Sequence, residues 1–166
     1  MENSRIEEIK NKIKEWLVER NVWTIDEKQD SRSYFTLLVE PTKKGSVIPL
    51  FIAFPLNYID KLMISWGLRF DEEQKKSFLA LKEDVKENLA RDIQTGFLLM
   101  NILLKFHPDF KNIESIHAQK LLYLDGLTKD RFSDVLVSII MAYGYLLSQF
   151  EKYGVSRERF DPSLWI

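Results

Sequence analysis

Residues 61–70 read KLMISWGLRF, and Leu62, Ile64, Trp66, Leu68 and Phe70 alternate there with Lys61, Met63, Ser65, Gly67 and Arg69. An apolar residue at every second position marks a strand with one face on a core. The stretches before it have the same character. Val47–Phe54 is apolar on both faces, while Tyr34–Glu40 and Val22–Ile25 are rich in β-branched and aromatic side chains. Pro41-Thr42-Lys43-Lys44-Gly45 and Pro55–Asp60 supply turns, because proline presets φ and glycine permits positive φ. A meander of four antiparallel strands is predicted.

On either side of the meander the apolar period changes to that of a helix. Ser4 and Glu7 have the spacing of a capping box, and Ile6, Ile9, Ile13, Trp16 and Leu17 form one stripe that predicts a helix to about Asn21. Asp71 with Gln74 signals a second helix start. Phe78, Leu81, Val85, Leu89, Ile93, Phe97, Met100 and Leu104 continue its stripe until His107-Pro108. That is long for a globular helix, so a break is expected near Leu81–Glu83. A fifth strand is expected at Ser115–Leu124, then a turn at Asp125-Gly126. Thr128 should cap a last helix, which Gly154 ends. Strands and helices are thus segregated along the chain. The fold class is α+β, two-layer, an antiparallel sheet of about five strands packed against helices in the order α-β-β-β-β-α(-α)-β-α. Residues 1–154 are expected to form one domain and residues 155–166 a tail.

Composition narrows the function classes. The 166 residues include 24 basic and 25 acidic side chains, two histidines and no cysteine. Thiol catalysis, cysteine-held metals and disulfides are excluded. An intracellular, cytoplasmic chain is the default expectation. Balanced charge points away from nucleic acid as a partner. The polar N-terminus is not signal-like, and Gly96–Leu104 and Ile139–Leu147 fall short of the roughly 20 apolar residues that cross a bilayer, so no membrane partner is expected.

This order of helices and strands resembles the secretion-chaperone-like fold shared by type III secretion chaperones and the YbjN-like proteins. Leu121–Phe132, LLYLDGLTKDRF, is similar to the C-terminal block of a family of small archaeal proteins of unknown function. The resemblance implies a dimeric, partner-binding scaffold and brings no catalytic residues with it.

Groups that could carry chemistry each have a plainer explanation. His107-Pro108-Asp109 resembles the signature tripeptide of J-domain co-chaperones, but that family is all-helical, whereas strand-like residues follow here, so ordinary helix-stop chemistry accounts for it. His107 and His117 lie on different predicted elements, without a third ligand at zinc-site spacing. Glu72, Glu73, Glu83, Asp84, Glu87 and Asp92 alternate with lysines and Arg91 as a solvated helix face. No GxSxG, GxGxxG or P-loop pattern occurs. No catalytic residue, metal ligand or cofactor is therefore assigned.

The informative feature is surplus apolar surface. With Leu62, Ile64 and Trp66 on the helix side, the partner faces are Phe35, Leu37, Val39 and Ile48, Leu50, Ile52, Phe54. The other face then shows Tyr34, Leu38, Val47, Phe51 and Met63, which are the expected partner-binding residues unless the first helix or the tail covers them. Phe97–Phe106, apolar all round apart from Asn101 and Lys105, should be enclosed by the last helix. Gly96 and Gly144 suggest a close helix crossing that Gly144→Leu would disturb, and Asn101 is expected to be buried on a local carbonyl. The expected function is a non-enzymatic protein-interaction module, chaperone-like or adaptor, whose partner is another protein or itself as a homodimer. The alternative is a small-molecule binder or enzyme with a pocket between sheet and helices and Tyr123, His117 or Arg131 at its mouth.

Overall fold

The computed structural model describes residues 2–42 and 48–155. Helix α1 (Glu2–Glu19) is followed by β1 (Trp23–Lys28), β2 (Ser33–Pro41), β3 (Leu50–Pro55) and β4 (Lys61–Arg69). Then come α2 (Glu72–Leu79), α3 (Glu83–Leu99), β5 (Leu103–His107), β6 (Ser115–Tyr123) and α4 (Lys129–Lys152). The strands form a six-stranded antiparallel sheet in the order β1-β2-β3-β4-β6-β5, packed against four helices. The α+β class and the order expected from sequence hold, with one strand more. The Lys43–Gly45 part of the first turn, Val47 and tail residues 156–166 lie outside the described residues.

Local chemistry accounts for most boundaries. Asp71 accepts from the Gln74 amide at 2.8 Å while the Asp71 amide donates to Gln74 Oε1 at 3.0 Å, a complete capping box. The expected break separates α2 from α3, with Ala80 closing the first of them. Thr128 Oγ1 accepts from the Arg131 amide, and Gly154, at φ 83°, stops the chain beyond α4. Ser4 is not a cap, because α1 is already helical at Glu2; Glu7 pairs instead with Lys10 at 2.9 Å.

The largest correction concerns residues 100–107, expected as helix. Leu98 and Leu99 are 79% and 82% exposed, so the stripe fails before Met100, where α3 is capped. Asn101 then takes φ 53°, a left-handed conformation that asparagine tolerates better than most residues. Leu103–His107 continues as β5, paired with β6 from Leu103↔Gln119 to His107↔Ser115. Asn101 is therefore exposed rather than buried, and His107-Pro108-Asp109 opens a strand connection rather than ending a helix. There Asp109 Oδ1 accepts the amides of Lys111 and Asn112 at 2.8 and 2.9 Å.

The chain divides into two compact units, residues up to 64 with 121–135, and residues 65–120 with those from 136 onward. In the first, Ile13, Leu17, Leu37, Leu50, Ile52, Leu62 and Ile64 are wholly buried, and Trp16 of α1 packs at 5.7 Å on Phe132. Lys10 and Lys14 of α1 reach Glu27 of β1 at 2.9 and 2.8 Å. In the second unit Trp66 lies between Phe97 and Tyr143, at 6.2 and 5.5 Å, and its indole N–H donates to the Ile139 carbonyl at 2.9 Å. Among the described residues α4 is long and apolar enough, by length and composition, to cross a membrane. Its stripe of Phe132, Leu136, Ile139, Ala142, Leu146 and Phe150 is buried core.

The expected helix crossing is present at one of its two glycines. A Cβ on Gly96 would lie 2.2 Å from the Tyr145 ring, whose hydroxyl donates to the Asp92 carbonyl at 2.6 Å. Gly144 is exposed with nothing within 4 Å of a Cβ, so the close helix crossing expected at Gly144 is not there.

Candidate functional site

Among the described residues expected to bind a partner, Tyr34 stands apart from Leu38, Phe51 and Met63. Thr36, Leu38 and Ala53 share the sheet face turned away from the buried set, since Leu38 sits opposite Phe51 and Thr36 opposite Ala53. That face continues onto β1, where Asp26 faces Leu38 and Lys28 faces Thr36. Leu38 is only 8% exposed, and Phe51 is half-buried. The Thr36 hydroxyl is buried without a partner among the described residues. Met63, half-buried, lies by the connections on either side, lining a hollow of about 600 Å³ with Asp30–Ser33 and Pro55–Tyr58.

Tyr34 belongs elsewhere. A bulge between Ser33 and Phe35 shifts the register, and the Tyr34 ring packs 5.0 Å from Phe54, beside Ile6 and Ile9 of α1. Strict alternation cannot foresee an extra residue, because one insertion reverses every later side chain.

In the second unit two surfaces emerge that the pattern did not indicate. The first is apolar. Leu98 and Leu99 stand exposed on the last turn of α3, and Leu103 opens β5 at 58% exposure. Lys120 bonds both the Met100 carbonyl and Ser138 Oγ at 2.8 Å, which fixes the end of α3 beside α4. Val137 and Met141, next to Ser138 and one turn beyond it, are exposed there too. Lys120 is thus a tie between elements, and burial holds its ammonium below the usual lysine range.

The second surface is polar. Both histidines of the chain, expected on unrelated elements, come to one face of the β5–β6 ladder. Lys105 is directly opposite His117, and His107 is two pairs further along, opposite Ser115. A hollow of about 470 Å³ is lined by Leu103, Leu104, Lys105, His107, His117 and Gln119. Burial, then the charges of Lys105 and His107, push the His117 imidazole below the usual histidine range, so its neutral form is favoured. No cluster of three or more metal-ligating side chains occurs among the described residues.

A second polar cluster is a clip. Asp92 on α3 accepts from Lys152 Nζ at 2.7 Å and from the Tyr153 hydroxyl at 2.8 Å. These bonds hold its carboxyl below the usual carboxylate range.

A family model described as an uncharacterized conserved protein, DUF2299, matches residues 9–150. The chain belongs to the DUF2299 family. The match runs from the middle of α1 to the buried Phe150, so it spans the whole sheet of this DUF2299 chain. Its fold is similar to the crystal structure of an uncharacterized protein from Methanothermobacter thermautotrophicus. The two share 18% identity at a TM-score of 0.74, over 87% of this chain and 98% of that one. A more distant similarity is to YbjN from E. coli, titled as a candidate transcription regulator, with 12% identity and a TM-score of 0.45 over 86% and 92% of the two chains. No curated protein matches the sequence.

The side chains named as the mouth of a pocket have other settings in the DUF2299 chain. Tyr123 stacks under Lys61 at 4.8 Å, and Arg131 donates to the Gly126 carbonyl at 3.2 Å. His117 lines the β5–β6 hollow. The apolar end of α3 had one visible signal, the adjacent pair Leu98-Leu99, which no single helix face can bury.

Proposed function

We propose that this protein is a non-enzymatic interaction module, an adaptor-like or chaperone-like scaffold, and that it pairs with a second copy of itself through the end of α3, the start of β5 and the adjoining face of α4. The observation that carries this is the exposure of Leu98 and Leu99 at the end of α3, of Leu103 at the start of β5, and of Val137 and Met141 on α4. Monomers seldom leave contiguous apolar surface beyond roughly 300–600 Å² open to water, and such patches are usually functional. Fully burying one such side chain stabilises by about 1.5–3 kcal/mol. In a two-fold pair the same patch is used twice, so the gain reaches the scale of the 4–15 kcal/mol that association costs, about. The sheet face of Leu38, Phe51 and Met63 is the second surface in this proposal, available to a further protein partner. It offers less to bury, because Leu38 is already closed off. Cytoplasmic action without nucleic acid, membrane or cofactor is part of the same proposal.

Size-exclusion chromatography with light scattering tests it. The native chain should elute at about twice its 19.7 kDa mass. The double substitution Leu98→Glu, Leu99→Glu should elute as monomer with unchanged circular dichroism. A native chain that stays monomeric at millimolar concentration would overturn the pairing.

A further inference from the structure

We infer that the hollow on the β5–β6 face binds a small oxyanion, a carboxylate or phosphate group on a ligand with a short apolar portion. The strand ladder assembles its wall. On β5 the alternating residues Leu103, Lys105 and His107 share one face, and their cross-strand partners Gln119, His117 and Ser115 complete it. Four of these side chains can donate hydrogen bonds into one space, namely Lys105, His107, His117 and Gln119. Leu103, more than half exposed at the end of the row, offers an apolar rest for the remainder of the ligand. The volume, about 470 Å³, lies in the range of small-molecule sites.

The charged side chains on the three neighbouring strands are all basic. Neither β4, β5 nor β6 contains an aspartate or glutamate. Two backbone bonds bracket the β4–β6 ladder, Phe70 N–H to the Glu114 carbonyl at 3.0 Å and Leu124 N–H to the Asp60 carbonyl at 2.8 Å. Continued between them, this register sets Gly67 opposite His117 and Arg69 opposite Ser115. Arg69 thus adds a further cation to the face that carries Ser115 and His117. Of the acids in the β5–β6 connection, Asp109 is engaged by two amides, and Glu114 stands exposed at the strand start.

The same arrangement argues against a divalent cation. Two imidazoles without a carboxylate are too few ligands, and the Lys105 ammonium opposite His117 repels one. An oxyanion meets the opposite situation, since Lys105 attracts it and each imidazole offers an N–H. Its arrival would also favour imidazolium at His117, so binding should tighten as pH falls through the histidine range. Protection of an exposed sheet edge would account for Lys105 alone, but it implies no saturable ligand response.

The test uses the full chain. The Cε1 protons of the two histidines are followed by NMR at pH 6.5 while inorganic phosphate, or separately acetate, is added at constant ionic strength set by chloride. Saturable shifts of both histidines are expected in at least one arm, together with a rise in the His117 titration midpoint. Saturation by phosphate alone or by acetate alone identifies which oxyanion the site takes. Lys105→Gln should weaken binding about tenfold or more, and His107→Gln serves as a second variant should the first perturb the fold. Shifts that stay linear in both arms, or an affinity unchanged in both variants, would overturn the site. Because Leu103 also belongs to the proposed pairing surface, the titration is repeated on the Leu98→Glu, Leu99→Glu chain. Saturation there separates the anion site from the pairing proposal.

Discussion

At the scale of single residues, the site is governed by which groups have cross-strand neighbours. His117 is half-buried, faces Lys105 directly and His107 diagonally, and is held toward its neutral form. Its folded pKa lies below its unfolded value, so the fold binds fewer protons than the unfolded chain. The stability it contributes is complete above the unfolded pKa, near 6.5, and is lost as pH falls below it. In phosphate-free buffer, the urea midpoint of the native chain should drop between pH 7.5 and 5, and His117→Gln should flatten that drop. A contrast of equal clarity lies in two glycines. Gly144→Ala, in open space on a helix, should stabilise by up to about 1 kcal/mol. Gly96→Ala should destabilise by about 1 kcal/mol, because the Tyr145 ring must leave its bond to the Asp92 carbonyl. In a Tyr145→Ala background the same change should become stabilising. A double-mutant cycle by urea unfolding reads the sign.

At the scale of elements, the decisive event is the end of α3. The apolar stripe Leu89, Ile93, Phe97 is buried, and its continuation at Met100 and Leu104 looks equally helical in sequence. Asn101 carries the signal that was legible there, since asparagine is a common left-handed stop. Asn101→Gly should therefore leave stability within about 0.5 kcal/mol, whereas Asn101→Val should cost about 1–2 kcal/mol at its positive φ. Chemical denaturation checks both. The edge strand that follows has only five residues, and Asn101 alone marks the boundary before it, which is why it merged with the helix. The bulge at Tyr34 misled in the same way, by an insertion that the local pattern does not record.

At the scale of the whole molecule, the proposed pairing makes stability depend on concentration. A ligand or second copy that binds only the folded chain raises its melting temperature by mass action. The Tm of the native chain should climb by several degrees over a hundredfold rise in protein concentration. The Tm of the Leu98→Glu, Leu99→Glu chain should not. A flat Tm for both, measured by calorimetry, would count against pairing through this face.

Periodicity and punctuation determined the elements with strong local rules. The alternation of Lys61–Phe70, the Asp71–Gln74 box, the break near residue 81 and the Thr128 and Gly154 boundaries all follow from interactions between residues close in the chain. The end of α3, the facing of Tyr34 and the meeting of Lys105 with His117 depend on strand register. Register is set by distant partners, which no local window contains. The surface available to a partner was decided at that level, because exposure depends on what the rest of the fold leaves uncovered.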